Sequence, residues 1–315
     1  MTTARETPPP PSRMQLNPWR LGVLTARGVV SDRRERRRAT AGSSHGRRLT
    51  PRALDPRLRE PVFVLGAARS GTTFLGSCIG ALPDVSYHFE PRVTKAAARE
   101  VYEGHWPQRR AAMVFRSSYG LLLLAAGHGG LRFVEKNPEN CFIIPFLMRT
   151  FPDAQFVHIV RDGRDVAVSH AEKPWLGARS AATGQRGRGG QAWGPWARWW
   201  VEPERAGEFE AASDLTRTAW SWRRFTDSAR SHLSTIPGDR ALTIRYEALV
   251  QRPQEVAQHL ATFLGHPRPP AELSAALARA DAGSVGRWRQ ALDEQGRSDV
   301  YREAGALLRE LGYVE

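Results

Sequence analysis

Cysteine and long apolar runs are both scarce in this 315-residue sequence, and each absence excludes a class of protein. Only two cysteines occur, Cys78 and Cys141, so neither a disulfide framework nor a cysteine-rich zinc site is expected. The same scarcity favours a reducing, cytoplasmic compartment. No apolar run approaches the roughly 18 residues that a membrane-spanning helix needs. The N-terminus lacks a signal peptide, although its arginine-rich composition leaves an organelle transit peptide as the alternative.

Lysine is also scarce, so arginine supplies nearly all of the positive charge, and that charge is unevenly distributed. Residues 1–60 contain 14 arginines and 5 acidic residues, which gives a net charge of +9. The other 255 residues contain 32 basic and 27 acidic residues, and their net charge is only +5. Because the excess lies in one terminal segment, and because net charge governs nonspecific attraction rather than fold, no specific nucleic-acid partner is expected.

The composition divides the chain into a tail and a folded part. Residues 1–58 are rich in Pro and Arg, which predicts a disordered basic tail, since too little apolar surface is present to offset the entropy of ordering. Residues 59–315 are expected to form one domain, with a flexible insertion rich in Gly, Arg and Trp at about residues 174–210. The insertion is either a loop with ordinary packing or a lid over an acceptor site.

Short apolar strands alternate with helices along the folded part. Continuous apolar runs are typical of parallel strands that are buried on both faces. The pattern predicts an α/β fold, a three-layer sandwich with a mostly parallel central sheet. The predicted strands are Val62–Leu65, Val85–His88, Arg132–Glu135, Phe156–Val160 and Ala241–Arg245. The predicted helices are Thr72–Ala81, Asn140–Thr150, Gly163–Ala171, Leu215–Leu233, Gln254–Leu264 and Ala271–Ala280.

A loop rich in Gly, Ser and Thr, Gly66–Thr73, joins the first strand to the first helix. Its backbone N–H groups and the positive end of the helix dipole predict an anion-binding site. Gly71 allows a tight turn towards a ligand, and the neighbouring hydroxyls add donors. The spacing matches the P-loop of ATP-binding proteins, but Thr72 stands where that loop has lysine, and the cation is instead Arg69. The loop therefore favours a phosphate group over a typical nucleoside triphosphate.

A second anion site is predicted after the fourth strand. Arg161 comes at the carboxyl end of this strand, where ligands bind in open α/β sheets, and Ser169 follows about two helical turns later. A guanidinium and a hydroxyl presented in this way suit a phosphate monoester. Between them, Asp162, Arg164 and Asp165 are interpreted as a charged surface turn.

The two sites together resemble the nucleotide-binding signatures of sulfotransferases that depend on 3′-phosphoadenosine 5′-phosphosulfate (PAPS). The resemblance covers about residues 60–315 and implies a P-loop-like sulfotransferase fold in a soluble protein of bacterial type. It implies that the first loop binds the 5′-phosphosulfate, and that Arg161 and Ser169 bind the 3′-phosphate. The loop residues concerned are Arg69, Ser70, Gly71, Thr72 and Thr73.

Further segments are similar to the tyrosylprotein and carbohydrate sulfotransferase branch. Phe89–Val93 resembles the segment that holds the catalytic glutamate of that branch, which is Glu90 here. Glu135–Pro138 resembles the segment that holds its catalytic lysine, which is Lys136 here.

Other matches lie towards the C-terminus. Arg245–Val250 resembles a motif whose tyrosine, Tyr246 here, lies near the cofactor, and Leu311–Tyr313 resembles the usual ending. One segment departs from the pattern, because Gly286-Arg287-Trp288 replaces a Ser-Lys-Trp contact with the cofactor. Only Arg287 is therefore assigned to cofactor binding there.

The resemblance implies in-line sulfuryl transfer to a hydroxyl of an unidentified small molecule, carbohydrate or peptide. Arg69 and Lys136 then stabilise charge on the leaving phosphate, and Glu90 is the general base. His88 is the rival base, because it lies two residues earlier on the same face of an extended segment. His158, inside a buried strand, is expected to be a core residue. No metal is expected, since a sulfuryl group carries less charge than a phosphoryl group.

Two other functions stay open at this point. A P-loop nucleotide kinase or NTPase is the main alternative, although Thr72 in the lysine position disfavours it. A nonenzymatic polyanion-binding protein is the other, and the concentration of most of the excess charge in residues 1–60 weakens it. The acceptor, the oligomeric state and the adenine contacts are not readable from the sequence.

Overall fold

A computed structural model describes residues 16–39 and 58–314. Five strands form its central sheet: β1 (Val62–Leu65), β2 (Val85–Phe89), β3 (Arg132–Lys136), β4 (Gln155–Val160) and β5 (Ala241–Arg245). Their order across the sheet is β2-β3-β1-β4-β5, and every neighbouring pair is parallel. Each strand lies within one residue of its predicted position, and the predicted α/β fold with a parallel central sheet is confirmed.

Strands β1 and β4 are buried on both faces over nearly their whole length, which explains the apolar run of β1 and the largely apolar sequence of β4. Strands β2, β3 and β5 contain polar residues as well, and β5, at one edge of the sheet, is only partly buried. The helices of the described residues are α1 (Pro18–Ala39), α2 (Thr72–Ile79), α3 (Arg92–Tyr102), α4 (Gln108–Ala126), α5 (Ile144–Thr150), α6 (Gly163–Ala171), α7 (Ala206–Ala211), α8 (Asp214–Leu233), α9 (Tyr246–Gln251), α10 (Pro253–Phe263), α11 (Ala271–Leu277), α12 (Trp288–Ala291) and α13 (Glu294–Glu310). One sheet face, with Val62 and Val157, packs against α2, α10 and α11. The other is aromatic: the Phe63 ring centroid lies 5.7 Å from that of Phe156 and 6.2 Å from that of Tyr119 on α4.

Most predicted helices occur, and one of them is divided. The predicted helix Asn140–Thr150 consists of a 3-10 helix, Pro138–Phe142, followed by α5. Pro145 lies in the first turn of α5, where its missing N–H is harmless, but it cannot continue a preceding helix. Seven helices of the described residues are not predicted by the sequence analysis: α1, α3, α4, α7, α9, α12 and α13. None of the helices described combines the length and the apolar character needed to cross a membrane.

The contacts divide the described chain into two compact units. The sheet unit comprises the described residues 16–39, 58–161 and 225–285 and contains all five strands. The second unit comprises residues 162–224 and 286–314 and contains α6, α7, α12 and α13. The sequence analysis predicts one domain over residues 59–315, whereas the structure groups these residues into two sets of contacts.

Helix α1 stands where the sequence analysis predicts disorder. It packs against α3, α4 and β2 of the sheet unit. The Asp32 carboxylate lies 2.8 Å from Nδ1 of His88, which is fully buried in β2, and the Arg33 guanidinium donates to the Ala125 carbonyl. The buried carboxylate of Asp32 thus joins this basic segment to the sheet. The composition of residues 1–58 as a whole does not reveal this contact, because the contact depends on one residue. Residues 1–15 and 40–57 of the predicted tail lie outside the described residues.

The insertion at about residues 174–210 is irregular but packed within the second unit. Trp196 and Trp200 are buried. Two arginines, Arg198 and Arg217, donate to backbone carbonyls that regular secondary structure would otherwise satisfy. These acceptors are Trp175, Ala192 and Gly194 for Arg198, and Leu176, Glu210 and Ala212 for Arg217. A lid role for the insertion stays a prediction.

We expect Asp32→Ala to lower the free energy of unfolding by about 1–3 kcal/mol, because it removes a buried hydrogen-bond partner of His88. Chemical denaturation measures the effect. Arg27→Ala on the exposed side of the same helix is the control, with a change within about 0.5 kcal/mol. Equal stability of the two variants would contradict the contribution assigned to Asp32.

Candidate active site

All five strands of the sheet end at residues of the candidate site. Arg69 lies in the loop after β1, Glu90 follows β2, Lys136 ends β3, Arg161 follows β4, and Tyr246 follows β5. In a parallel sheet these carboxyl ends share one edge, which is where ligands bind in open α/β folds. The fold thus places five predicted site residues at one edge of the sheet unit.

The loop between β1 and α2 turns tightly against its neighbours. Gly71, with φ of 93°, precedes α2, and a Cβ there would lie 2.6 Å from Cδ2 of Tyr246. At Gly66, with φ of 141°, a Cβ would lie 2.5 Å from the Ile159 carbonyl oxygen. Both positions require glycine because of backbone conformation and close approach. Arg69 itself has φ of 72°, a left-handed conformation that is costly for a non-glycine residue.

Two hydroxyls of this loop are buried where a phosphate would approach the helix N-terminus. Thr72 is 3% exposed and Ser70 is 1% exposed. The Ser70 Oγ has no hydrogen-bond partner among the described residues. Buried hydroxyls are normally paired, so this one is available to an anionic ligand, and the loop fits a phosphosulfate group. Thr73, one residue on, is exposed.

Arg161 is fixed beside this loop. Its guanidinium donates to the Arg69 carbonyl at 3.2 Å and to the Ser284 carbonyl, and it lies 4.7 Å over the Tyr246 ring. The Tyr246 hydroxyl and the Ser284 hydroxyl are 2.8 Å apart. The three elements that supply these residues therefore form one wall next to the loop.

Glu90 and Lys136 form a buried ion pair across the ends of β2 and β3. The Lys136 Nζ lies 2.6 Å from Glu90 Oε1, and the Glu90 N–H donates to the Lys136 carbonyl at 2.8 Å. The ammonium also lies 4.2 Å from the centre of the Phe89 ring, a cation–π distance. Glu90 has φ of 43°, so its backbone is again left-handed. The only other non-glycine residue with positive φ in the described ranges is Glu60.

A second ammonium, that of Lys95 on α3, contacts the other oxygen of Glu90. Its Nζ lies 3.1 Å from Glu90 Oε2 and 2.5 Å from Glu139 Oε2. Glu139 belongs to the 3-10 helix that follows β3. Two carboxylates and two ammonium groups thus alternate in one continuous chain of contacts.

The pKa values in this cluster are set by burial against charge. Burial opposes ionisation of Glu90, but Lys95 and Lys136 outweigh it and hold the pKa of Glu90 near 2. Burial lowers the pKa of Lys136 despite the favourable charge of Glu90. Burial also opposes the charge of Lys95, but Glu139 and Glu90 raise its pKa. Glu90 is thus an ionised carboxylate in this arrangement.

Glu135, directly before Lys136, organises the residues around the cluster. It is fully buried and accepts hydrogen bonds from the Tyr119 hydroxyl at 2.5 Å, Asn140 Nδ2 at 2.7 Å and the Thr94 hydroxyl at 3.0 Å. Burial raises the pKa of Glu135 to about 7. Thr94 precedes Lys95, and Asn140 follows Glu139. The Glu135 carboxylate therefore fixes both of the elements that supply Lys95 and Glu139 to the cluster.

His88, the rival base, points into the protein on the α1 side. Its ring nitrogens bond to Asp32 at 2.8 Å and to the Ser86 hydroxyl at 2.9 Å, and its ring stacks on Phe133 at 4.6 Å. The residue is fully buried. His158 is likewise fully buried in β4, and burial lowers its pKa to about 4. Both histidines are core residues.

The remaining predicted site residues belong to the second unit. Ser169 is buried in α6, and Arg287 forms an ion pair with Glu172 of the same unit. Of the residues predicted to bind the nucleotide, Ser169 and Arg287 belong to the second unit and the others to the sheet unit.

The interpretation of the segment after Arg161 as a surface turn is wrong, because its charged residues are buried. Asp165 accepts hydrogen bonds from the backbone N–H groups of Gly286 at 2.7 Å and Trp288 at 2.9 Å. Arg164 pairs with Asp162 at 2.7 Å and lies 3.9 Å over the Trp288 ring. The charges hold the loop before α12 in place, and a charge pattern alone does not reveal such partners.

A model of the sulfotransferase family matches residues 61–270, which is 210 of the 315 residues. The chain belongs to the sulfotransferase family. The match includes the loop after β1, Glu90, Lys136, Arg161 and Tyr246, and it confirms the resemblance drawn from the sequence.

The chain is also similar to curated proteins and to solved structures. A protein-tyrosine sulfotransferase of Drosophila melanogaster is 24% identical over 221 residues, covering 65% of this chain and 38% of that protein. An uncharacterized protein of Aquifex aeolicus is 29% identical over 130 residues, covering 36% of this chain and 17% of its own length. The chain spans 17% to 64% of the curated relatives that it matches. A sulfotransferase structure from Mycobacterium avium has a TM-score of 0.52 at 14% identity, covering 91% of this chain and 85% of the other, which shows a shared fold.

Three residues of the candidate site are missing from the sequence-based assignment: Lys95, Glu139 and Ser284. Lys95 carried a usable signal, because it is one of only three lysines and falls five residues after Glu90. Glu139 and Ser284 carried none, since their contacts depend on how distant segments pack. Among the residues that the structure describes, no group of three or more His, Cys, Asp or Glu side chains could hold a metal ion.

We expect Gly71→Ala to destabilise the protein by about 1–3 kcal/mol, because the new methyl group meets the Tyr246 ring in a left-handed backbone conformation. Chemical denaturation measures this change. Gly238→Ala is the matched control, since a Cβ there meets nothing within 4 Å. Similar stability for the two variants would show that the contact with Tyr246 is not tight.

Proposed function

We propose that this chain transfers the sulfuryl group of PAPS to a hydroxyl group, with Glu90 as general base and without a metal ion. Family membership supports sulfuryl transfer as the chemistry. The observation that carries the proposal is the buried pair of Glu90 and Lys136 next to the anion-binding loop. In the sheet register Lys136 pairs with Val64 of β1, one residue before that strand ends, so the pair lies beside the start of the loop.

The loop after β1 is assigned to the 5′-phosphosulfate. Ser70 supplies a buried hydroxyl without a partner in the described chain, and the N-terminus of α2 supplies backbone donors. Arg69, Gly71, Thr72 and Thr73 complete this loop. Arg161, Ser169, Tyr246 and Arg287 are assigned to the rest of the nucleotide, with Arg161 and Ser169 on the 3′-phosphate. That phosphate distinguishes PAPS from the substrates of ATP-binding proteins.

In the reaction the acceptor oxygen attacks sulfur, one S–O bond forms, and the S–O bond to the 5′-phosphate breaks. The acceptor proton passes to Glu90, and adenosine 3′,5′-bisphosphate leaves. Lys136 and Arg69 stabilise the charge that develops on the leaving phosphate oxygen. Because sulfuryl transfer resembles loose phosphoryl transfer, positioning and charge stabilisation are the main tasks of the protein.

The relatives indicate which acceptor to test first. The Drosophila relative is a protein-tyrosine sulfotransferase, so a peptidyl tyrosine is the first acceptor to test, followed by small phenols and sugars. A cytoplasmic location remains a prediction from the use of cysteine.

We expect adenosine 3′,5′-bisphosphate to raise the unfolding temperature of the protein more than ATP with Mg²⁺ does. A ligand at 100 times its dissociation constant stabilises by about 2.7 kcal/mol, and thermal-shift titration detects this change. Arg161→Ala should abolish most of the shift, whereas Arg252→Ala, at an exposed ion pair, should keep it. A larger shift with ATP and Mg²⁺ would favour the kinase alternative.

We expect Glu90→Gln to lower kcat by about 10²–10⁴-fold, because the glutamine amide cannot take up the proton of the acceptor hydroxyl. The measurement uses radiolabelled PAPS and a panel of tyrosyl peptides, phenols and sugars. Binding of adenosine 3′,5′-bisphosphate should persist, which separates catalysis from folding. Glu255→Gln, at an exposed position, should keep full turnover, and normal turnover in Glu90→Gln would exclude Glu90 as the base.

A further inference from the structure

The proposed base is blocked in the structure. Both oxygens of Glu90 contact an ammonium group, Oε1 that of Lys136 at 2.6 Å and Oε2 that of Lys95 at 3.1 Å. A carboxylate in this state has no oxygen directed at an acceptor and little tendency to take a proton. Either Glu90 is not the base, or one of its two partners must leave before the proton is transferred.

The two partners differ in what else holds them. Lys95 is bound on its other side by Glu139 at 2.5 Å, and both lie on elements that Glu135 fixes through Thr94 and Asn140. Lys136 contacts Glu90 and the Phe89 face, and it is the cation next to the end of β1. An anionic donor in the loop after β1 therefore competes with Glu90 for Lys136 and not for Lys95.

We propose that donor binding activates the base: the donor draws Lys136 away from Glu90, and the Lys95–Glu139 pair then holds the freed carboxylate in place for the acceptor. This inference rests on the proposed function. Lys95 and Glu139 are positioning residues, because they act through Glu90. Only Oε1 becomes open, so the acceptor hydroxyl must approach from the side that Lys136 leaves.

The net charge of the cluster indicates what Glu139 contributes. Lys136, Glu90, Lys95 and Glu139 together carry no net charge, and after Lys136 turns to the donor the other three carry one negative charge. That remaining charge favours protonation of Glu90. Without Glu139, Lys95 would neutralise Glu90 alone and keep it a weak base. Tyr87 of β2 lies within electrostatic range of Glu90, but burial raises the pKa of its phenol, so it stays neutral near pH 7.

The test is a direct measurement of the pKa of Glu90, which needs no acceptor. Carbon-13 NMR of protein labelled at the glutamate carboxyl carbons follows the titration, and the signal missing from Glu90→Gln gives the assignment. Saturation with adenosine 3′,5′-bisphosphate should raise the pKa of Glu90 by about one pH unit or more, because an opposite charge within reach typically lowers such a pKa by about 1–3.

Two substitutions should then shift the value in opposite directions in the bisphosphate complex. Lys95→Met removes the remaining ammonium and should raise the pKa of Glu90 by about one further unit. Glu139→Gln leaves the Lys95 ammonium paired with Glu90 alone and should lower the pKa of Glu90 by a similar amount. Lys173→Met and Glu255→Gln, which lie outside the cluster, are the controls and should leave it unchanged.

Each outcome decides a different statement. If the bisphosphate binds but the pKa of Glu90 does not rise, activation by the donor is overturned while the proposed function stands. If the pKa rises but the two substitutions shift it in one direction or not at all, the positioning role of Lys95 and Glu139 is overturned. If the bisphosphate does not bind the wild type, the proposed function fails and this inference fails with it. Should Lys95→Met not fold, Glu139→Gln and the comparison of free with bound protein still decide.

Discussion

The buried ion pair between Glu90 and Lys136 is the constraint on which the site depends. A charged pair out of water is costly unless its geometry is good, and loss of one partner leaves an uncompensated buried charge. Here the geometry comes from the sheet: β2 and β3 are adjacent and parallel, so their carboxyl ends bring the two side chains to 2.6 Å. The backbone bond from Glu90 to Lys136 and the Phe89 ring fix the same pair. The contact between Glu90 and Lys136 therefore results from the sheet topology and is also the centre of the proposed chemistry.

Left-handed backbone conformations occur at two of the proposed catalytic residues, Arg69 and Glu90. A glycine at either position would relieve the strain, but it would remove the charged side chain. Strain of this kind, of the order of 1–3 kcal/mol per residue, persists where the surrounding structure imposes it, and it is common at functional sites. In this chain the surroundings are the tight turn at Gly71 and the strand-end bond of Glu90 to Lys136.

The sequence contains enough information to predict the sheet and the site residues at the ends of its strands. Apolar runs predicted two of the strands and shorter, mixed segments predicted the other three, and residues at strand ends followed from them, because position along a strand is a local property. The contacts that the sequence analysis did not predict are those between residues that lie far apart in the sequence. The contacts of Asp165 with the loop before α12 and of Lys95 with Glu139 join segments far apart in the sequence, and no periodicity encodes them. The helix of the basic tail was missed for the same reason, since its polar anchor lies 56 residues away, at His88.

The contact between α1 and β2 matters for the choice of protein boundaries in engineering. β2 is one of the two edge strands of the sheet, and it ends one residue before Glu90. A shortened form that starts at the first strand would lack Asp32 and would leave the α1-facing side of this edge uncovered. The resulting loss of order would extend to Glu90, the proposed base, although no residue assigned to substrate binding had been deleted. We therefore expect such a shortened protein to turn over more slowly than the full chain.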